Sequence, residues 1–149
     1  MAEKYLCFTL EGSLFAVPVG YVQEIASAPD SIVPIPDMPE HIRGITKFRN
    51  QALMVIDLKK RLDVCGTEEC KKMIIINKGH NVGVLVDEVV GMVLLEQEQI
   101  DKTLAIHAFL ENPFIKGIAN PDNRLICVLS EEIFEASPQN GNIAATFLS

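Results

Sequence analysis

Short apolar segments broken by turn residues are the feature that most constrains the fold of this chain. Prolines at 29, 34, 36 and 39 exclude a long helix from that stretch. Elsewhere, apolar residues recur with the period of two that is typical of strands. The strands predicted from this alternation run over residues 5–10, 14–19, 22–25, 45–49, 52–56, 73–77, 81–86, 88–95, 115–119 and 124–129. The sequence therefore predicts an all-β protein built as barrels or a sandwich, and not from βαβ units.

Helical structure is expected only in short pieces at the ends of strands. Asp57 is positioned to cap a helix that ends at Leu62, and Ser130 to cap a helix over residues 131–136. Pro39 is expected to open one helical turn that ends near Arg43. Pro18 has no N–H group to donate, which predicts that its strand lies at a sheet edge or a bulge.

The two halves of the chain repeat one pattern. Arg43–Ile45 aligns with Lys116–Ile118 at a separation of 73 residues, and the same offset places Asn50 on Asn123. Hairpin turns at residues 12 and 79 precede the aligned segments. Two strand-turn-strand units can also align by chance. If the repeat is real, it predicts two pseudo-equivalent small barrels with a groove between them, because each half alone would bury only a marginal core.

Charge and composition exclude several partners. The formal net charge of −7 disfavours nucleic acid and anionic membrane surfaces, and tryptophan is absent. The basic groups 59–61 and 71–72 are expected to be solvated. Neither a segment of the ~20 apolar residues that cross a bilayer nor a signal peptide is apparent. A cytoplasmic protein without direct membrane insertion is therefore expected.

A catalytic or metal-binding pattern is not evident. Cys7 and Cys127 lie in apolar strand patterns, while Cys65 and Cys70 have no second pair at zinc-like spacing. The histidines are His41, His80 and His107, without a ligand-like neighbour. Serine elbows, phosphate loops and dinucleotide fingerprints are also missing. The sequence favours a protein that is not an enzyme and uses neither metal nor cofactor, although a site built from distant residues remains an alternative.

Surface groups are then the candidates for function. Glu24 and Arg49 lie in strand-like segments with apolar neighbours, where an ion pair between them would be directional. Two independently solvated side chains are an equally good interpretation. Val19, Val22 and Val86 are expected in the core on general grounds.

An ordered set of motifs resembles the CheW-like domain over residues 5–136. The motifs are Phe8–Gly12, Tyr21–Ile25, Pro39–Ile45, Lys47–Arg49, Ala52–Leu58 and Val84–Val89. This resemblance implies two SH3-like five-stranded β-barrel subdomains, here assigned to residues 5–66 and 70–136, with 137–149 as a tail. It also implies an adaptor in chemotaxis signal transduction, which couples the regulatory domain of a CheA-type histidine kinase to the cytoplasmic tip of methyl-accepting chemoreceptors.

The resemblance also assigns roles to individual residues. It implies a receptor-binding groove formed by Val19, Val22, Gly44 and Val86 with Arg43 at its rim, and an acidic–basic pair formed by Glu24 and Arg49. Kinase-binding residues stay unassigned, because no sharp motif marks them.

The turn at residues 47–50 departs from the family pattern. Where the family usually has Asn, an aliphatic residue and Arg-Gly, this chain has Lys47, Phe48, Arg49 and Asn50. Asn tolerates the left-handed backbone that Gly would adopt, so the turn should form. The changed rim leaves an alternative function open, a CheW-like scaffold in another chemosensory pathway such as surface motility or development.

Overall fold

The computed structural model of the chain describes residues 2–103 and 114–134, and within these ranges the fold is mostly β. The ten strands are β1 Glu3–Leu10, β2 Ser13–Pro18, β3 Val22–Ser27, β4 Ile42–Phe48, β5 Gln51–Asp57, β6 Lys72–Asn77, β7 Asn81–Val86, β8 Glu88–Leu95, β9 Ile115–Ala119 and β10 Ile126–Leu129. One α-helix, α1, spans Leu58–Leu62, and short 3₁₀ helices cover Val19–Tyr21, Gln97–Gln99, Pro121–Asn123 and Glu131–Phe134. No helix in the described part of the chain is long and apolar enough to cross a membrane.

The strands form two sheets of five. The first sheet has the order β8-β1-β2-β10-β9 and the second β3-β6-β7-β5-β4. Both sheets are open, since the strands at their two ends do not pair. This confirms the coarse prediction of an all-β fold with two five-stranded units. The sheets are not divided between residues 5–66 and 70–136, however, because each sheet takes strands from both ranges.

The repeat predicted from the sequence is present as an exchange of hairpins. The β1–β2 hairpin pairs with β8 and β10, while the equivalent β6–β7 hairpin pairs with β3 and β5. In each sheet the central pair is parallel, β10 with β2 and β5 with β7. Each hairpin therefore completes the sheet that the other half of the chain begins, and neither half makes a whole sheet alone.

Individual hydrogen bonds follow the offset of 73 residues. The amide of Asp57 donates to the carbonyl of His41 at 2.7 Å, and the amide of Ser130 donates to that of Phe114 at 2.7 Å. Both capping residues act as predicted. Asp57 accepts from the amide of Lys59 at 3.0 Å, while Ser130 accepts from that of Glu132 at 3.4 Å.

Glycine occupies equivalent places in β4 and β9 because a neighbouring segment crosses each strand closely. The Val33 backbone forms a bridge with Ile45, and the Asp101 backbone forms one with Ile118. Gly44 has φ +143°, and a Cβ there would lie 2.0 Å from the carbonyl oxygen of Val33. A side chain at this position is therefore excluded.

Three apolar clusters fill the molecule. The central one lies between the sheets and includes Phe8 and Val17 from the first with Ile74 and Val84 from the second. Each sheet also covers a smaller cluster on its other face. Inner strands are thus buried on both faces, which explains continuous apolar runs such as that of β6.

Three local predictions were wrong. Pro18 lies on β2, an inner strand, but it is the last residue there and β10 ends its pairing opposite Ala16. Its missing N–H therefore breaks no ladder bond. Pro39 opens a hydrogen-bonded turn to Ile42 instead of a helical turn, and β4 has already begun at Ile42.

The third wrong prediction is the solvation of Lys59, which is only 9% exposed. Its Nζ lies 2.5 Å from a carboxylate oxygen of Glu11 and 2.7 Å from one of Asp87, and it donates to the carbonyl of Glu68 at 2.7 Å. Burial lowers the pKa of Lys59, but its hydrogen bonds to Asp87 and Glu11 outweigh that effect and raise the pKa overall. Lys59 therefore connects α1 to the β1–β2 turn and to the crossover between β7 and β8.

Candidate protein-binding surface

Glu24 and Arg49 are brought together at one end of the second sheet. Glu24 lies on β3, and Arg49 lies in the turn between β4 and β5. The Nη2 atom of Arg49 is 2.5 Å from Oε2 of Glu24. Arg49 also lies over the ring of Phe48, 5.2 Å from its centre. Since the arginine side chain is 70% exposed, this pair presents a fixed charge to solvent and contributes little to stability.

The turn that carries Arg49 forms as expected despite its unusual sequence. Arg49 has φ +49° and Asn50 has φ +64°. Both residues are left-handed, so Asn50 takes the conformation for which the family pattern has Gly. Lys47 and Phe48, the other departures, line a cleft of about 390 Å³ between residues 29–33 and β4.

The five predicted groove residues differ in exposure. Val19 and Val22 are half-buried and pack against the central cluster. Arg43 is half-exposed, with Nη1 3.5 Å from Oδ2 of Asp57. Gly44 is buried beneath Val33, and Val86 is fully buried in the central cluster. In this conformation only Val19, Val22 and Arg43 offer surface to a partner, while Gly44 and Val86 support that surface from inside.

Exposed apolar side chains on the two edge strands β3 and β8 were missed by the sequence reasoning. Ile25 on β3 is 44% exposed, and on β8 the exposed fractions are 49% for Val90, 64% for Met92 and 60% for Leu94. Residues 88–95 are apolar on both strand faces. That signal indicates two buried faces unless the strand is known to be at an edge, and edge position follows only from the sheet order.

The groups considered for chemistry do not converge in the described residues. Within residues 2–103 and 114–134, no three Cys, His, Asp or Glu side chains lie close enough to hold a metal ion. His41 and Arg61 are in contact, and Arg61 lies over the ring of Phe114 at 4.4 Å. His107 lies outside the described residues. Cys7 and Cys127 are buried in strands, as predicted.

The fold and its surface define a class, the two-sheet β domain that uses apolar and charged patches to bind other proteins. Comparisons with known proteins identify the family within that class. The family model described as the CheW-like domain matches residues 4–135. The chain therefore belongs to the CheW-like family.

Individual relatives share this assignment. The chain is 29% identical over 128 residues to the chemotaxis protein CheW of Thermotoga maritima, which covers 85% of this chain and 83% of that protein. It is 27% identical over 135 residues to the chemotaxis protein CheW of Klebsiella aerogenes, covering 89% and 81%. The crystal structure of the scaffolding protein TtCheW from Thermoanaerobacter tengcongensis superposes with a TM-score of 0.78 at 29% identity, covering 91% of this chain and 89% of that one.

Proposed function

We propose that this chain is a chemotaxis adaptor that couples a CheA-type histidine kinase to methyl-accepting chemoreceptors in the cytoplasm. The match of the CheW-like family model to residues 4–135 is the observation that carries this proposal. Relatives named as chemotaxis proteins and a relative described as a scaffolding protein support it. An adaptor needs no reactive centre, only two surfaces that bind at once and so raise the effective concentration of one partner near the other.

The receptor-binding surface in this proposal is the half-exposed part of the predicted groove. Val19 and Val22 supply apolar contact, and Arg43 supplies a charge at the rim. Ile25 extends the same surface, because it pairs with Ile74, whose side chain belongs to the central cluster, and so lies on the same face of the second sheet as Val22. Paired positions on neighbouring strands share a face. An apolar strip with charged ends suits the apolar face of a helix.

The open sheets in this proposal are the SH3-like units that the family resemblance implies. Five strands, a covered inner face and two protected edges are consistent with a strongly curled sheet. Kinase-contact residues stay unassigned, because both sheets have exposed ends and no described contact distinguishes one of them.

Arg49→Glu tests the proposal. The variant should bind receptor fragment or kinase at least ~10-fold more weakly, because it places like charges at Glu24 and position 49 and reverses the exposed charge. Its thermal midpoint should stay near that of the parent, since the pair is largely solvated. Titration of each partner separately, by calorimetry, gives the two affinities.

Lys60→Glu is the matched control, since it reverses a charge that is also about half-exposed but lies on α1 away from the turn. A second variant, Glu24→Arg with Arg49→Glu, separates two roles of the pair. Restored binding means that the pair positions the surface, while lost binding means that the partner contacts Arg49 itself. Undiminished binding of both partners by Arg49→Glu would refute the assignment.

A further inference from the structure

The four edge strands of the two sheets are not equally protected. The edge of β4 is covered by the Val33 bridge and that of β9 by the Asp101 bridge. The strand β3 has a shift in register between Val22 and Glu24 and polar residues along it. Bulges, charges and covering segments are the usual ways of preventing an edge from pairing with another chain. Among the described residues, β8 has no strand or bridge along its outer edge.

The unprotected strand is also the most apolar at the surface. Val90, Met92 and Leu94, which we call the β8 row, are each about half or more exposed. From Gly91 to Leu95 the strand pairs regularly with β1, so its outer backbone groups point away in the regular pattern of a ladder. A strand from another chain would satisfy both features, since it would pair with the free edge and cover the row.

The charges at the two ends of the β8 row favour a second copy of this chain as that strand. Lys4 is the neighbour of Leu94 on β1, and Glu88 lies at the other end of the row. Antiparallel pairing of two β8 strands places the Lys4 end of each copy against the Glu88 end of the other. Lys71 lies 4.0 Å from Glu88, but both side chains are more than half exposed, so that pair is weak and does not neutralise the end.

We propose that two copies of this chain associate through antiparallel pairing of their β8 strands, with the β8 row of each copy against that of the other. The contact is isologous, because one patch meets itself across a two-fold axis. It does not depend on the proposed adaptor function. Each copy has a net charge of −7, which opposes association, so added salt should strengthen the dimer by screening that repulsion.

Sedimentation velocity of the full chain over a wide concentration range tests this inference. The parent should shift from monomer to dimer as concentration rises, and more so at high salt. Met92→Lys should weaken dimerisation at least ~10-fold, because it buries a charge in the middle of the row. Leu125→Lys is the control, since Leu125 is 67% exposed but lies outside β8, and it should dimerise like the parent.

Charge reversal tests the antiparallel arrangement. Lys4→Glu and Glu88→Lys should each weaken the dimer, and the double variant should restore it. A parent that stays monomeric at every concentration and salt level would overturn the inference, as would a Met92→Lys variant that dimerises normally. Loss of receptor or kinase binding by Met92→Lys in a monomeric parent would assign the β8 row to those partners instead, and would also overturn it.

Discussion

The short helices that end the two halves of the chain are attached in the same way but at different depths. On α1, Lys59 contacts the β1–β2 turn through Glu11 and the β7–β8 crossover through Asp87. In the second half, Glu131 contacts the β6–β7 turn through Lys78 and the β2–β3 connection through the hydroxyl of Tyr21. The charges are reversed, since a cation on the first helix is replaced by an anion on the second.

Depth separates the two attachments more than geometry does. The side chains of Lys59 and Glu11 are 11% and 16% exposed, whereas those of Lys78 and Glu131 are 31% and 44% exposed. The Lys78–Glu131 distance is also longer, at 3.8 Å. A buried ion pair is costly to break because the remaining charge keeps no water, while a solvated pair is nearly neutral to lose. The same topological connection is therefore expected to matter in one half and hardly at all in the other.

Removing each cation gives the largest expected difference. Lys59→Met should lower the free energy of unfolding by about 3–5 kcal/mol, since it leaves Glu11 and Asp87 buried without their partner. Lys78→Met should lower it by less than about 1 kcal/mol. Urea unfolding of both variants measures the difference, with Lys60→Met as a control on an exposed residue of α1. Equal losses in the two halves would show that depth does not separate them.

The equivalent glycines give the next largest difference. Gly44→Ala should cost about 3 kcal/mol, because the added Cβ meets the Val33 backbone and the residue is held at positive φ. Gly117→Ala should cost about 1 kcal/mol, since its Cβ meets first the side chain of Ile100, which can shift. Thermal unfolding of the two variants compares them. A larger loss for Gly117→Ala would mean that the crossing segments are not held alike in the two halves.

Alkaline pH gives a smaller difference, between a buried and an exposed thiol. Burial raises the pKa of Cys127 from its ordinary 9.0 to about 12. Below pH 9 the thiol is protonated in both folded and unfolded chains and has no effect. Between pH 9 and 12 only the unfolded chain loses the proton, so stability falls as pH rises, by about 2 kcal/mol at pH 10.5.

Cys127→Ala should therefore flatten the fall in unfolding free energy between pH 8 and 10.5, while Cys65→Ala, at an exposed position, should leave it unchanged. Urea unfolding at the two pH values gives both slopes. An unchanged slope in Cys127→Ala would show that its thiol does not titrate differently on unfolding.

Local structure was largely predictable from the sequence because its signals are local. The bounds of β7, β8 and β9 agree with the alternation of apolar residues, and the Asp57 cap places α1. The recurrence at 73 residues correctly predicted two equivalent five-stranded units. Which hairpin joins which sheet was not predictable, because the pattern of a strand does not name its partners.

The candidate site was predictable only in part for the same reason. Glu24 and Arg49 were singled out and lie in contact. The burial of Val86 and Gly44, the buried cation Lys59 and the exposed β8 row all depend on long-range packing. Arrangement of the sheets, and not residue type, decides whether an apolar or charged side chain is covered.

Simultaneous binding of kinase and receptor is the central claim, and co-sedimentation measures it most directly. Kinase should pellet with receptor-containing membranes when the parent chain is present, and should stay in the supernatant without it or with Arg49→Glu. Kinase that pellets equally well with and without the chain, or a chain that pellets without carrying kinase, would contradict the adaptor account.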